Sequence, residues 1–250
     1  MSTQDQYTFI TGASSGIGRE VAINLSKNSK LILHGRSIER LELTMNMCEN
    51  EGHLIWPCDF ASEISVSNNL SEFFKKHKIF VNNFVHCAGM VTVLNARNIT
   101  KEISDKIMSV NFSSAIEITS VLLKKRINQG SLKNIVFVSS IWSKYGARGY
   151  TLYCASKAAL DSAMRALSIE LSPAVRVNSI LLGAVHTPMS KNSFLDDEIL
   201  QNIDKQYPLG SGKPDDAAKI IKFLLSEESR WMTGQQIVLD GGRSINMSSK

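Results

Sequence analysis

The chain has 250 residues, 43% of them hydrophobic and 20% charged, a balance that fits one large globular domain and leaves no segment compositionally disordered. Its net charge of +5 is dispersed among acids. The densest cluster, Lys124-Lys125-Arg126, reads as a solvated helix end or a dock for an acidic partner, so a nucleic-acid surface is not expected. The first six residues are polar, no apolar run is long enough to cross a bilayer, and Cys48, Cys58, Cys87 and Cys154 form no Cys-x-x-Cys pair. A cytoplasmic protein without membrane segment, metal site or disulfide is therefore expected, as a single domain over residues 1–250.

Residues 7–10 form a short apolar strand that runs into Thr11-Gly12-Ala13-Ser14-Ser15-Gly16-Ile17-Gly18, and a helical pattern follows through Val21, Ala22 and Leu25. Glycines let the backbone turn sharply and approach a pyrophosphate, whose charge is favoured by the free N–H groups at a helix start. Gly12, Ser14, Ser15, Gly16, Ile17 and Gly18 are accordingly candidate dinucleotide-binding residues. Their Gly-x-x-x-Gly-x-Gly spacing resembles the Thr-Gly-x-x-x-Gly-Ile-Gly signature of the short-chain dehydrogenases/reductases. The resemblance extends over about residues 6–243. It implies an α/β fold of Rossmann type, doubly wound, with a mainly parallel seven-stranded sheet and helices on both faces.

A second strand, residues 31–34, ends at Gly35-Arg36-Ser37, where a dinucleotide fold meets the adenosine ribose. No acid stands at positions 34–37 to accept from a 2′-hydroxyl. Arg36 instead offers a guanidinium fork for a 2′-phosphate, with Ser37 as a further donor, so NADP(H) is the preferred cofactor and NAD(H) a possible one. The competing reading makes Arg36 a surface residue at the start of a helix over 38–49.

A strand over 53–57 leads to Cys58-Asp59-Phe60, which resembles the family's acidic pair beside the adenine; Asp59 also suits a cap or turn before a helix over 62–77. After a fourth strand around 83–85 comes His86-Cys87-Ala88-Gly89, where the family carries Asn-Asn-Ala-Gly. Ala88 and Gly89 keep the small side chains that admit a cofactor ribose, and His86 is expected to tie the central strands through its imidazole. A helix over 99–126 contains Asn111, at the position where the resemblance implies an asparagine that disturbs the helix ladder and holds a water.

Ile135-Val136-Phe137-Val138 reads as a parallel strand covered on both faces, delivering Ser139-Ser140 to the strand edge at which doubly wound sheets bind ligands. Ser140 stands thirteen residues before Tyr153, the family's serine-to-tyrosine spacing. Tyr153 and Lys157 lie four apart on one helix face, where an ammonium lowers a phenol's pKa and makes it a usable acid or base. Their helix, over 151–171, is apolar almost all round, which fits either burial within the subunit or, as the resemblance implies, packing in a homodimer or homotetramer.

A sixth strand, 176–180, precedes Leu182-Gly183, where the family has Pro-Gly. Gly183, Val185 and Thr187 then resemble the segment that contacts the nicotinamide end. A substrate lid is expected at 188–212, with Met189, Phe194 and Leu195. A helix over 217–226 and a strand over 236–239 closed by Asp240-Gly241-Gly242 resemble the family's C-terminal signature, although the loop from Leu209 to Pro214 is one residue short and lacks the common arginine.

The resemblance implies NADP(H)-dependent interconversion of a carbonyl and a secondary alcohol, with Ser140 binding the carbonyl oxygen, Tyr153 protonating it, Lys157 supporting the tyrosine and the cofactor ribose, and Asn111 holding the linking water. Met90, Val91, Trp142, Tyr145 and Phe194 are the expected pocket. The resemblance implies a small-molecule substrate, free or carrier-bound as in the similar 3-oxoacyl-acyl carrier protein reductases. An NAD(H)-dependent sugar or polyol dehydrogenase is the alternative enzyme, and a non-catalytic dinucleotide sensor or scaffold the alternative outside catalysis.

Overall fold

The computed structural model of the protein describes residues 6–62, 65–189 and 205–246. Its strands are the apolar runs of the sequence: β1 (Gln6–Thr11), β2 (Lys30–Gly35), β3 (Leu54–Pro57), β4 (Phe80–His86), β5 (Asn134–Ser140), β6 (Arg176–Leu182) and β7 (Gln236–Leu239). They form one sheet in the order β3-β2-β1-β4-β5-β6-β7, every pair parallel. Strand order reverses between β1 and β4, so their carboxyl ends open a crevice there.

Side chains alternate across a strand, and both faces of this sheet are apolar because both are covered. Phe9, Phe84 and Phe137 point to one side, under α3 (Val66–His77), α5 (Ser114–Leu123) and α7 (Thr151–Glu170). Their neighbours Ile10, Val85 and Val136 point to the other, under α1 (Gly16–Ser26), α2 (Ile38–Met45) and α8 (Pro214–Leu225). No helix among the described residues is long and apolar enough to cross a membrane.

Several element bounds differ from the sequence expectation for local reasons. The helix expected over 62–77 starts only at Val66, because the Ser65 hydroxyl accepts from the Asn68 N–H and caps it. Asp59 is therefore a turn residue rather than the cap, its carboxylate accepting from the Ala61 N–H at 3.0 Å. The helix expected over 99–126 is four pieces: α4 (Lys101–Met108), a π turn (Ser109–Ser113), α5 and α6 (Lys125–Asn128). The extra residue of the π turn swings Asn111 inward, and an extended Lys124 separates α5 from α6.

Candidate active site

The crevice begins at the turn between β1 and α1. Gly12 takes φ +68°, and a Cβ there would lie 2.8 Å from the Ala88 backbone nitrogen, so only glycine lets the two strand ends close up. A Cβ on Gly18 would strike the Gly12 carbonyl, which fixes how near α1 packs to that strand end. Ser15 caps α1 in an extended conformation without a side-chain hydrogen bond, and no acid occupies the first turn. The helix thus presents N–H groups and its positive end to the crevice, a fit for a dinucleotide's pyrophosphate. Arg19 braces the turn from behind, donating to the Ser14 carbonyl at 2.6 Å and to the Thr44 hydroxyl at 3.0 Å.

At the end of β2, Arg36 is exposed and no described carboxylate pairs with it. A Cβ on Gly35 would press within 3.1 Å of Ser14 and 3.2 Å of Leu41, so a side chain at position 35 is disfavoured. Ser37 caps α2 by accepting from the Arg40 N–H, and its own hydroxyl donates to Glu39 at 2.6 Å. Phe60 is a core residue: its ring stacks on His34 with centroids 4.0 Å apart and is not offered to the crevice. His34 is neutral, burial pushing it down to about 3. The Gly12 N–H donates to its Nδ1 at 3.3 Å, so Nε2 carries the proton, donated to the Cys58 carbonyl at 3.0 Å.

His86 ties the central strands as expected. The Thr11 hydroxyl accepts from the Ala88 N–H at 3.1 Å and shares a hydrogen bond with His86 Nδ1 at 2.9 Å, joining the end of β1 to the end of β4. Burial, with the nearby Lys157 charge, holds His86 well below the usual range. It does the strand-joining work of an amide and stays uncharged.

Asn111 is fully buried and saturated by its surroundings. Its Oδ1 accepts from the Met90 N–H at 2.7 Å, and its Nδ2 donates to the Met90 carbonyl and the Ser156 hydroxyl, both at 2.9 Å. Ser156 in turn donates to the Tyr153 carbonyl at 2.8 Å. The π turn, the Met90 loop and the first turns of α7 are thereby locked together. Lys157 is 4% exposed, its Nζ donating to the Val138 carbonyl at 2.8 Å and facing Gly89.

Ser140, Tyr153 and Lys157 line one cavity of about 310 Å³, with Ile17, Gly89, Gly183, Val185 and Thr187 on its cofactor side. Tyr153 stays partly open to the cavity, yet protein surrounds its phenol, and burial pushes its pKa up to about 12 against the lowering influence of Ser140, whose hydroxyl donates to the Leu182 carbonyl and accepts from the Trp142 N–H, both at 3.3 Å. The lysine does not offset this: its Nζ lies 5.8 Å from the tyrosine ring centroid and is itself drawn down by burial to about 8. This reverses the sequence expectation of a lowered phenol, because a helix wheel shows proximity and cannot show desolvation.

A family model described as enoyl-(acyl carrier protein) reductase matches residues 12–244. The chain belongs to the short-chain dehydrogenase/reductase family. The chain is 28% identical over 246 residues to D-erythrulose reductase of Gallus gallus, covering 97% of each chain. It is 31% identical to the 3-oxoacyl-acyl-carrier-protein reductase of Rickettsia felis, covering 94% of this chain and 95% of that one. A structure from Beutenbergia cavernae, a proposed NAD(P)-dependent gluconate 5-dehydrogenase with NADP bound at low occupancy, aligns with TM-score 0.87 at 26% identity, over 98% and 99% of the two chains. The protein is therefore an oxidoreductase of a family that uses NAD(P)(H) and acts on small molecules.

Some pocket residues differ from those expected. Val91, Trp142 and Met189 line the cavity, whereas Met90 is absent from its lining and Tyr145 is 48% exposed outside it. Phe194 and Leu195, with most of the lid expected at 188–212, fall outside the described residues. Tyr150, Gln206, Tyr207 and Arg243 line the cavity without having been expected. The last three come from segments more than fifty residues beyond Tyr153, and no local pattern links them to it.

Proposed function

We propose that the protein is an NADP(H)-dependent oxidoreductase that interconverts a ketone or aldehyde with its alcohol, Tyr153 serving as the acid/base. The observation that carries this reading is the convergence of Ser140, Tyr153 and Lys157 on one cavity whose opposite wall continues into the glycine turn. When bound, the reduced nicotinamide supplies the hydride. In the reducing direction Ser140 orients the carbonyl oxygen by hydrogen bond, and Tyr153, protonated at neutral pH by its burial, donates its phenolic proton to that oxygen. Lys157 offers two further N–H donors beyond Val138 toward the ribose at Gly89, and places a positive charge near the phenolate left after proton transfer. Asn111 holds the Met90 loop and α7 in register, and the π turn it opens supports a water position leading to Lys157.

Arg36, exposed at the end of β2 with no acid at positions 34–37, supports the preference for NADP(H). The likeness to D-erythrulose reductase supports a polar, hydroxylated substrate, and that to the Rickettsia enzyme a carrier-bound one. Gln206 and Arg243 in the wall favour the former. Four free cysteines suit a cytoplasmic location. Along α7 the outward stripe of Ala155, Ser162, Ala166 and Ile169, the last 79% exposed, supports association into a homodimer or homotetramer.

The test is NADPH oxidation across a carbonyl panel with the wild type and Tyr153→Phe. The variant keeps the ring and loses the donor, and a fall of roughly 10²- to 10⁴-fold in kcat with NADPH binding intact is expected. Full turnover by a cofactor-binding Tyr153→Phe protein refutes the assignment.

A further inference from the structure

One cation in the cavity wall, Arg243, has no task in the hydride-transfer chemistry. It is half-buried, and no described carboxylate forms an ion pair with its guanidinium. Its position is built. Beyond β7 the Asp240 carboxylate accepts from the Gly242 N–H at 3.0 Å and the Ser244 N–H at 2.7 Å, folding the chain into the short 3-10 turn that starts at Arg243. Gly242, at φ +84°, lets this turn lie against Pro208. A Cβ on Gly183 would come within 2.7 Å of the Tyr207 ring and 2.9 Å of the Asp240 Cα. The end of β6, the segment at 207–210 and the turn after β7 are therefore packed into one block. Tyr207 is anchored in that block by accepting from the Ala184 N–H at 2.9 Å, and its phenol feels the Arg243 charge.

The cavity's charge is one-sided. Its described lining contains Lys157 and Arg243 and no aspartate or glutamate. Lys157 is committed to Val138 and the ribose side, whereas Asp240, the acid nearest Arg243 in the chain, has its carboxylate engaged by backbone N–H groups. A partly desolvated guanidinium that no described carboxylate pairs is the fork that pairs with a planar oxyanion. With no second uncommitted cation among the described residues of that wall, the match is to a monoanion. We infer that Arg243 is a specificity-determining residue that binds a carboxylate of the substrate, making the preferred substrate class short keto and hydroxy acids of the sugar-acid type rather than neutral ketoses or polyols. The inference rests on the hydride-transfer reading for its chemistry and on Arg243 alone for its selectivity.

The experiment compares acids with neutral counterparts in which a hydroxymethyl group replaces the carboxylate. For turnover with NADPH, the pair is 5-keto-D-gluconate and L-sorbose, within a panel of shorter keto acids and their alcohols. For binding, the pair is D-gluconate and D-glucitol, titrated calorimetrically into the protein saturated with NADP⁺. The wild type is expected to prefer the acid in both arms. Arg243→Gln should lower the acid-to-neutral ratio of kcat/KM by roughly 10- to 100-fold, Arg243→Lys should restore part of it, and Arg243→Glu should reverse it. A wild type that favours no acid over its neutral partner in either arm overturns the inference, as does an Arg243→Gln protein whose ratio stays within twofold of wild type. Absence of turnover on every carbonyl, acid and neutral, marks instead the failure of the oxidoreductase reading, and the binding arm then decides for or against Arg243 by itself.

Discussion

Replacing Lys157 with methionine is expected to make the protein more stable while removing its turnover. The lysine is 4% exposed, and burial draws its ammonium from 10.5 down to about 8 against the attraction of Asp161 and Cys87. At roughly 1.4 kcal/mol per pKa unit, that gap opposes folding by about 3 kcal/mol at pH 7, where the side chain is charged in both states. Methionine fills a similar volume without charge. It forfeits the hydrogen bond to the Val138 carbonyl, a loss of about 1–2 kcal/mol. The net gain is about 1–2 kcal/mol, or roughly 2–8 °C in Tm for a chain of this length. Between pH 8 and 10.5 the unfolded lysine holds its proton while the folded one has released it, so wild-type stability rises with pH through that window. The advantage of the variant should accordingly be largest at or below pH 7 and shrink towards pH 10. Urea unfolding of both proteins at pH 7 and pH 9.5, monitored by circular dichroism without cofactor, measures this directly. A Lys157→Met protein less stable than wild type at pH 7, or an advantage that does not shrink with pH, refutes the reasoning. The general point is that a functional cation held in a dry site is a standing load on the fold.

Two further substitutions probe the cofactor and scaffold sides. Arg36→Ala should raise the KM for NADPH by roughly 10- to 100-fold and leave that for NADH nearly unchanged, since a guanidinium acts only where a 2′-phosphate is present; steady-state kinetics with both cofactors checks this, and equal shifts would count against the 2′-phosphate assignment. Asn111→Ala strips the Met90 loop and Ser156 of three buried hydrogen bonds and should destabilise the protein by about 2–4 kcal/mol, read as a lower urea midpoint. A loss below about 1 kcal/mol would mean that the π turn is held by backbone packing instead.

Much of the architecture was legible because it is written in local patterns. Apolar runs followed by turn chemistry located all seven strands, and the glycine spacing placed the first turn against α1. The Ser140 to Tyr153 interval and the i, i+4 step to Lys157 named three residues that the structure gathers into one cavity. His86 was assigned to strand-joining, and its bond with Thr11 crosses from β4 to β1 as that assignment required. Element ends were less legible. Ser65 rather than Asp59 caps α3, and the break at Asn111 into a π turn depends on the Met90 backbone, which the periodicity of the helix cannot register.

What the sequence by itself determined was the order of elements, the glycine turn between β1 and α1 and the spacing of Ser140, Tyr153 and Lys157, because each is encoded within a short segment. Only the tertiary structure decided the electrostatics. Burial from several elements at once raises Tyr153 to about 12 and lowers Lys157 to about 8, against the direction that their spacing alone predicts. It was also the fold that carried Arg243, from the turn after β7, into the wall of a cavity lined by β5 and α7 residues. Charges act through space and through the water they have lost, and neither quantity has a period in the sequence.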